Sequence, residues 1–186
     1  MYGQTGFASK QEYDRARYIR QKKEREAKRP PHPISMLTET EKAYIAGLID
    51  GEGAIYMAHS KEKTCYPTIS IHMTSEGVLR WLADKTGAQK IHRVTRRDDG
   101  RYKSILKTQF LYRTSGKNAQ RLCAALIPYH RIKINHARIV CAFPVDARIA
   151  PGHKIARSDV NLVRFKLAEQ LTAMNENRYR RRHSGT

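Results

Sequence analysis

Two carboxylates stand two residues apart among glycines in Gly47-Leu48-Ile49-Asp50-Gly51-Glu52-Gly53. Carboxylates beside backbone carbonyls that no bulky side chain shields are hard oxygen donors, the set that Mg²⁺ or Mn²⁺ prefers. The plain alternative is an exposed acidic turn, of which Asp-Gly pairs form many. The elements on either side decide between the two.

Thr38, three residues before Glu41, has capping-box spacing and predicts a helix starting near Glu39. At 3.6 residues per turn, Ala43, Ala46, Gly47 and Gly51 share one narrow stripe, while Ile45 and Ile49 face the other way. A stripe without bulk lets another backbone approach closely. The helix should break at Gly51 or Gly53, and Ala54-Ile55-Tyr56-Met57 reads as a strand. Asp50 and Glu52 then lie at a helix C-terminus, where the macrodipole is already negative. Acids are unfavourable there unless a cation joins them, and a divalent metal would resolve the conflict.

The whole chain favours a polyanionic partner. Its 186 residues carry 36 Lys and Arg against 17 Asp and Glu, a net charge of +19 with a pI near 10.2. No apolar run reaches membrane-spanning length and no signal-peptide core precedes residue 30, so nucleic acid is expected rather than a membrane. Cys65, Cys123 and Cys141 form no paired metal motif and are odd in number, as in reduced core thiols. These features predict a protein that is not secreted, residing in the cytoplasm or nucleoid of a bacterial or phage host or in an organelle.

Residues 1–35 form a basic arm with a stiff hinge: positions 1–33 hold nine Lys and Arg against four acids and end in Pro30-Pro31-His32-Pro33. Residues 36–186 form the second domain. Gly53–Ser60 and Pro67–Thr74 alternate, with Ile55, Met57, Ile69, Ile71 and Met73 on one face and Tyr56, Thr68, Ser70 and His72 on the other. Ser75 is placed to cap a helix whose Val78, Leu79, Trp81 and Leu82 supply core, ending at Gly87. Gln89–Arg96 and Arg101–Arg113 form a second hairpin around Asp99-Gly100, presenting His92, Arg96, Lys107, Gln109 and Arg113 outward. Three further helices follow, with apolar stripes Ala119-Leu122-Cys123-Leu126-Ile127, Ile132-His136-Ile139-Val140-Phe143 and Val160-Val163-Leu167-Leu171-Met174, before a basic tail. The class is α+β, in the order αββαββ followed by extra helices.

Ile45 to Gly53 resembles the signature of the LAGLIDADG homing endonucleases, with Ile for Leu at the first position, Gly for Ala at the seventh and Glu for Asp at the eighth. Met73-Thr74-Ser75, Arg80 to Lys85, Pro128 to Lys133 and Leu171 to Arg182 extend the resemblance over about residues 38–183, toward the single-motif branch. The resemblance implies the αββαββα fold, whose four-stranded antiparallel saddle sits in the DNA major groove. It also implies a homodimer with two signature helices at the dyad, through Ala43, Ala46, Gly47 and Asp50. Base readout then falls to Tyr56, Thr68, Ser70, His72, His92, Arg96, Lys107, Gln109 and Arg113.

For catalysis the resemblance assigns a Mg²⁺ or Mn²⁺ ligand to Glu52 and a backbone ligand to the Gly51 carbonyl. It makes Lys133 the active-site lysine, while Asp50 is expected to support the helix end. Ser75 stands where relatives carry a longer water-positioning side chain. Leu79 stands where a basic partner can occur, with Arg80 the adjacent alternative. The implied activity is sequence-specific cleavage of double-stranded DNA, with neither a small-molecule cofactor nor a membrane involved. An intron maturase or other RNA-binding splicing cofactor, or a catalytically inactive DNA-binding protein on the same fold, would share the scaffold. Neither would need the acid at position 52.

Overall fold

The computed structural model describes residues 9–28, 30–59, 65–88, 91–94, 108–145 and 159–183; side chains 26, 159 and 177–183 are outside this description. Arg96, Lys107 and the Asp99-Gly100 turn lie outside the described residues. The chain divides into two units, residues 1–32 and 33–186. The first contains helix α1, Lys10–Ala27. Its entry is stabilised by Ser9, whose Oγ accepts from the Glu12 amide at 3.2 Å.

The second unit starts to pack before its first α-helix, because Ile34, in a 3₁₀ turn over Pro33–Met36, and Leu37 are both buried. Helix α2, Glu39–Glu52, begins at the expected box: Thr38 Oγ1 accepts from the Glu41 amide at 3.3 Å, and Glu41 Oε2 accepts from the Thr38 amide at 2.9 Å. Lys85 pairs with the same Glu41, and this contact, ahead of the Thr38 amide, holds the Glu41 carboxyl below its ordinary value. Gly53 ends α2 by donating its N–H to Ile49 O and at once begins strand β1, Gly53–His59. A Cβ at Gly53 would stand 2.8 Å from that carbonyl and 2.9 Å from Ile49 Cα, so only glycine fits without movement of backbone.

Strand β2, Cys65–Met73, pairs antiparallel with β1, and helix α3, Glu76–Thr86, follows it. Gly87 closes α3 in the left-handed conformation (φ 68°), the usual glycine exit. Strands β3, Ile91–Val94, and β4, Gln109–Ser115, complete a four-stranded antiparallel sheet in the order β1-β2-β4-β3. Helices α4 (Lys117–Leu126), α5 (Ile134–Ala142) and α6 (Asp159–His183) follow.

One face of the sheet supplies the core. Ile55, Ile69, Ile71 and Tyr112 bury there with Ile45 and Ile49 of α2, Leu79 and Leu82 of α3, and Leu122 and Leu126 of α4. Full burial of such a side chain stabilises by roughly 1.5–3 kcal/mol. Tyr112 keeps its hydroxyl satisfied by Thr86 at 2.8 Å, and burial pushes its pKa up to about 12. Asn175 of α6 donates to the Ile55 carbonyl at 3.1 Å, which occupies part of the β1 edge.

Three helix-level expectations are corrected. Ser75 precedes α3 as its cap residue, but its side chain makes no capping bond. Ile132 lies in the turn before α5 and is exposed, so the buried side of α5 runs through His136, Ala137 and Val140. On α6, Val163 is exposed and the buried positions are Asn161, Arg164, Ala168 and Leu171. The stem of Arg164 turns inward, its Nη2 donating to the Pro144 carbonyl at 2.9 Å and its guanidinium lying over the Phe143 ring.

Candidate active site

The last turn of α2 meets the turn 130–133, which leads into α5. Asp50 is only 6% exposed. Its Oδ2 accepts the amides of Arg131 at 2.7 Å and Ile132 at 3.0 Å, and its Oδ1 accepts the Lys133 amide at 3.0 Å and meets His130 Nδ1 at 2.9 Å. Burial alone would raise the Asp50 pKa. The amides of Ile132 and Arg131, then His130 and the Lys133 amide, outweigh it and hold the carboxyl below its ordinary value.

Lys133 returns the contact. Its ammonium donates to the carbonyls of Ile49 (2.6 Å) and Asp50. The carboxylate of one helix end therefore satisfies the amides at the start of α5, while the lysine from that start satisfies the carbonyls at the end of α2. Each charge sits at the dipole end of opposite sign. The electrostatic conflict read from the sequence is thus relieved within the chain, by a cation 83 residues away in sequence. Lys133, expected as a solvent-ordering lysine at the reacting phosphate, is 4% exposed and engaged with backbone.

Glu52, two residues beyond Asp50, faces the other way. It is exposed, and no described residue bonds its carboxylate. Gly51 beside it is exposed, and a Cβ built there, or at Gly47, would meet nothing within 4 Å. Ala43 is exposed with them. Two of the residues expected at a subunit interface are corrected: Ala46 is fully buried in this chain's own core, and Asp50 is committed to the turn 130–133. The 14-residue helix α2 presents only part of its small stripe outward, because the core claims the rest.

The remaining catalytic expectations lie on α3 and the residue before it. Ser75 is exposed. Leu79 is fully buried core. Arg80 bonds Glu76 through Nε at 3.0 Å along the exposed side of α3.

On the open face of the sheet, register sets side chains in rows. His72, Leu111 and His92 are directly opposite across β2, β4 and β3, and Gln109 is opposite Val94. Ala54, Ser70 and Arg113 form another row, and Tyr56, Thr68 and Ser115 a third. His72, His92 and Arg113 are exposed, with Tyr56 and Gln109 half-buried. Thr68 and Ser70 are corrected: both are buried, and Thr68 Oγ1 lies 3.1 Å from Ser115 Oγ. Each is a short side chain on an inner strand with one long neighbour in register, Tyr56 beside Thr68 and Arg113 beside Ser70, and sinks below the surface. A cleft beside β4 is lined by His92, Arg113, Ser115 and Asn118.

Sequence reading missed His130 and the three amides around Asp50. The resemblance over Pro128 to Lys133 marked that segment, but nothing local signals a partner so far along the chain.

Among the described residues no cluster of three or more His, Cys, Asp or Glu is placed to hold a metal ion. No helix is long and apolar enough to cross a membrane, among the described residues.

No protein-family model and no curated protein matches the sequence. Solved structures do. The chain is similar to the homing endonuclease I-CvuI in complex with its target and calcium, at 18% identity over 72% of this chain and 81% of that one, TM-score 0.52. It is also similar to the archaeal intron-encoded homing endonuclease I-Vdi141I complexed with DNA, at 17% identity over 73% and 84%, TM-score 0.53. A helix carrying Ile45–Gly53 that runs straight into a β1-β2-β4-β3 sheet, taken with this likeness, means that the chain has the LAGLIDADG homing-endonuclease fold.

Proposed function

We propose that the protein is a metal-dependent, sequence-specific double-strand DNA endonuclease that acts as a homodimer on a long pseudo-palindromic site. The observation that carries this reading is Glu52: an exposed carboxylate, with no bonding partner among the described residues, at the end of the signature helix. A free carboxylate there, beside the backbone of Gly51, fits a hard divalent ion such as Mg²⁺ or Mn²⁺. One carboxylate and one carbonyl do not fill such an ion's coordination. The remaining oxygens would have to come from outside this chain, such as phosphate and water. When bound, the ion supplies charge stabilisation at the scissile phosphate and lowers the pKa of water.

The chain's own residues do the rest. Asp50 and Lys133 fix the end of α2, so Glu52 is held by a rigid turn. Tyr56, His72, His92, Gln109 and Arg113 are the side chains offered to base edges, in a ribbon whose width suits the major groove. The excess of cations supplies phosphate contacts.

Purified protein on a randomised duplex library should give double-strand breaks at one recurrent sequence with Mg²⁺ and none with EDTA. Breaks spread without sequence preference, or breaks persisting in EDTA, contradict the reading.

The subunit contact has its own test. Gly47→Leu should leave the fold intact, because the site is open and replacing a mid-helix glycine favours the helix by roughly 0.5–1 kcal/mol. Sedimentation should then report a single copy where the parent sediments as a pair, with cleavage lost. A paired, active Gly47→Leu protein would remove α2 from the interface.

A further inference from the structure

Helix α1 belongs to neither the sheet nor its core: it lies in the unit formed by residues 1–32. Its middle, Arg15 to Lys23, holds Arg15, Arg17, Arg20, Lys22 and Lys23 and no acid; Glu12 and Asp14 precede it and Glu24 follows. All five cations are exposed, and Arg15, Arg17, Arg20 and Lys23 have no ion-pair partner among the described residues. Tyr18 and Ile19, the large apolar residues of the same turns, are exposed too, so this helix has no apolar side committed to a core. Five like charges over nine residues of helix, about 13 Å at 1.5 Å per residue, repel one another in water. A polyanion removes that repulsion, and the charge density of duplex DNA, one phosphate per about 1.7 Å of axis, matches it.

We infer that α1 is a second DNA-binding element, a tethered helix that grips backbone phosphate without reading sequence. The inference rests on the nuclease reading for its choice of DNA. The cations spread over more than half of the helix circumference instead of forming one edge, which suits a polyanion met in several orientations and not a fixed readout. The link Pro30-Pro31-His32-Pro33 is short and stiff, so any duplex held by the second unit meets α1 at high effective concentration.

The experiment uses the full chain with Arg15, Arg17, Arg20, Lys22 and Lys23 changed to Gln, which keeps helix propensity. Binding of a 40-base-pair duplex of arbitrary sequence and of a 40-nucleotide single-stranded RNA is followed by anisotropy from low to moderate KCl. Neutralising five contacts should flatten the plot of log affinity against log salt for the duplex by about 4, from roughly 0.9 per phosphate, and weaken binding at least about tenfold. A flattening of about 2 or more supports the inference; less overturns it. Loss confined to the RNA probe also overturns it. A variant with Lys at positions 15, 17 and 20 should regain the parent slope, which a mere defect in folding would not allow. Failure of the nuclease reading shows separately, as a parent protein that never cuts DNA with Mg²⁺ whatever α1 does.

Discussion

Glu52→Gln should abolish cleavage while leaving DNA affinity within about threefold of the parent. The exchange keeps size and one oxygen but removes the charge that a hard ion requires, and metal-derived stabilisation of several kcal/mol corresponds to about a thousandfold or more in rate. Nothing in the subunit leans on this side chain, which is exposed and unbonded among the described residues, so thermal stability should not move. Affinity measured in Ca²⁺ or EDTA, beside cleavage in Mg²⁺, separates the two effects. Cleavage at the parent rate would strip Glu52 of its proposed role, and parallel loss of binding would recast it as a contact residue.

Asp50→Asn is expected to be the most damaging single change to stability. The buried carboxylate accepts three amides and faces His130; an amide in its place offers one acceptor and turns donors toward donors. Charged hydrogen bonds of this kind contribute roughly 1.5–3 kcal/mol each, so a net loss of about 3 kcal/mol is reasonable once relaxation is allowed. For a domain of this size that lowers Tm by about 6–12 °C. The pH dependence gives a finer check. Burial opposes the ionised form, but the amides and His130 win, so the folded pKa lies below the ordinary 3.8. Stability from this group is therefore complete above that value and drains away as pH falls through the folded pKa. The gap between parent and Asp50→Asn, measured by denaturant midpoints, should be constant near neutrality and close only in that acid range. A gap that closes at pH 6 would assign the linkage to another group.

Much of this arrangement was legible in the chain itself, and the limits are physical. The Thr38–Glu41 box, the helix-to-strand change at Gly53 and the alternation of Ile69, Ile71 and Met73 are local patterns, written within a few residues of where they act. Thr68 and Ser70 show where such patterns stop. Alternation tells which face a residue takes, not how deep it lies, and depth on an inner strand depends on neighbours contributed by β1 and β4. Val163 was misassigned because apolar spacing on α6 is compatible with more than one face, and the stem of Arg164 took the buried place. The exchange of charges between Asp50 and Lys133 left no periodic trace at all. It joins two helix ends 83 residues apart, and the sequence offered only an unfavourable pair of acids that needed some cation.

The junction at Gly53 has a mechanical consequence. Since α2 passes into β1 with no connecting loop, and Ile49 leaves no room for a side chain at the joint, only Gly53, Ala54 and Ile55 separate Glu52 from Tyr56. In the proposed roles, with Glu52 at the break and Tyr56 at the first base contact, cutting and reading are geared together like teeth on one shaft. A new target could be accommodated by exchanging side chains on the sheet, whereas the number of base pairs between the break and the first contacted base would stay the same.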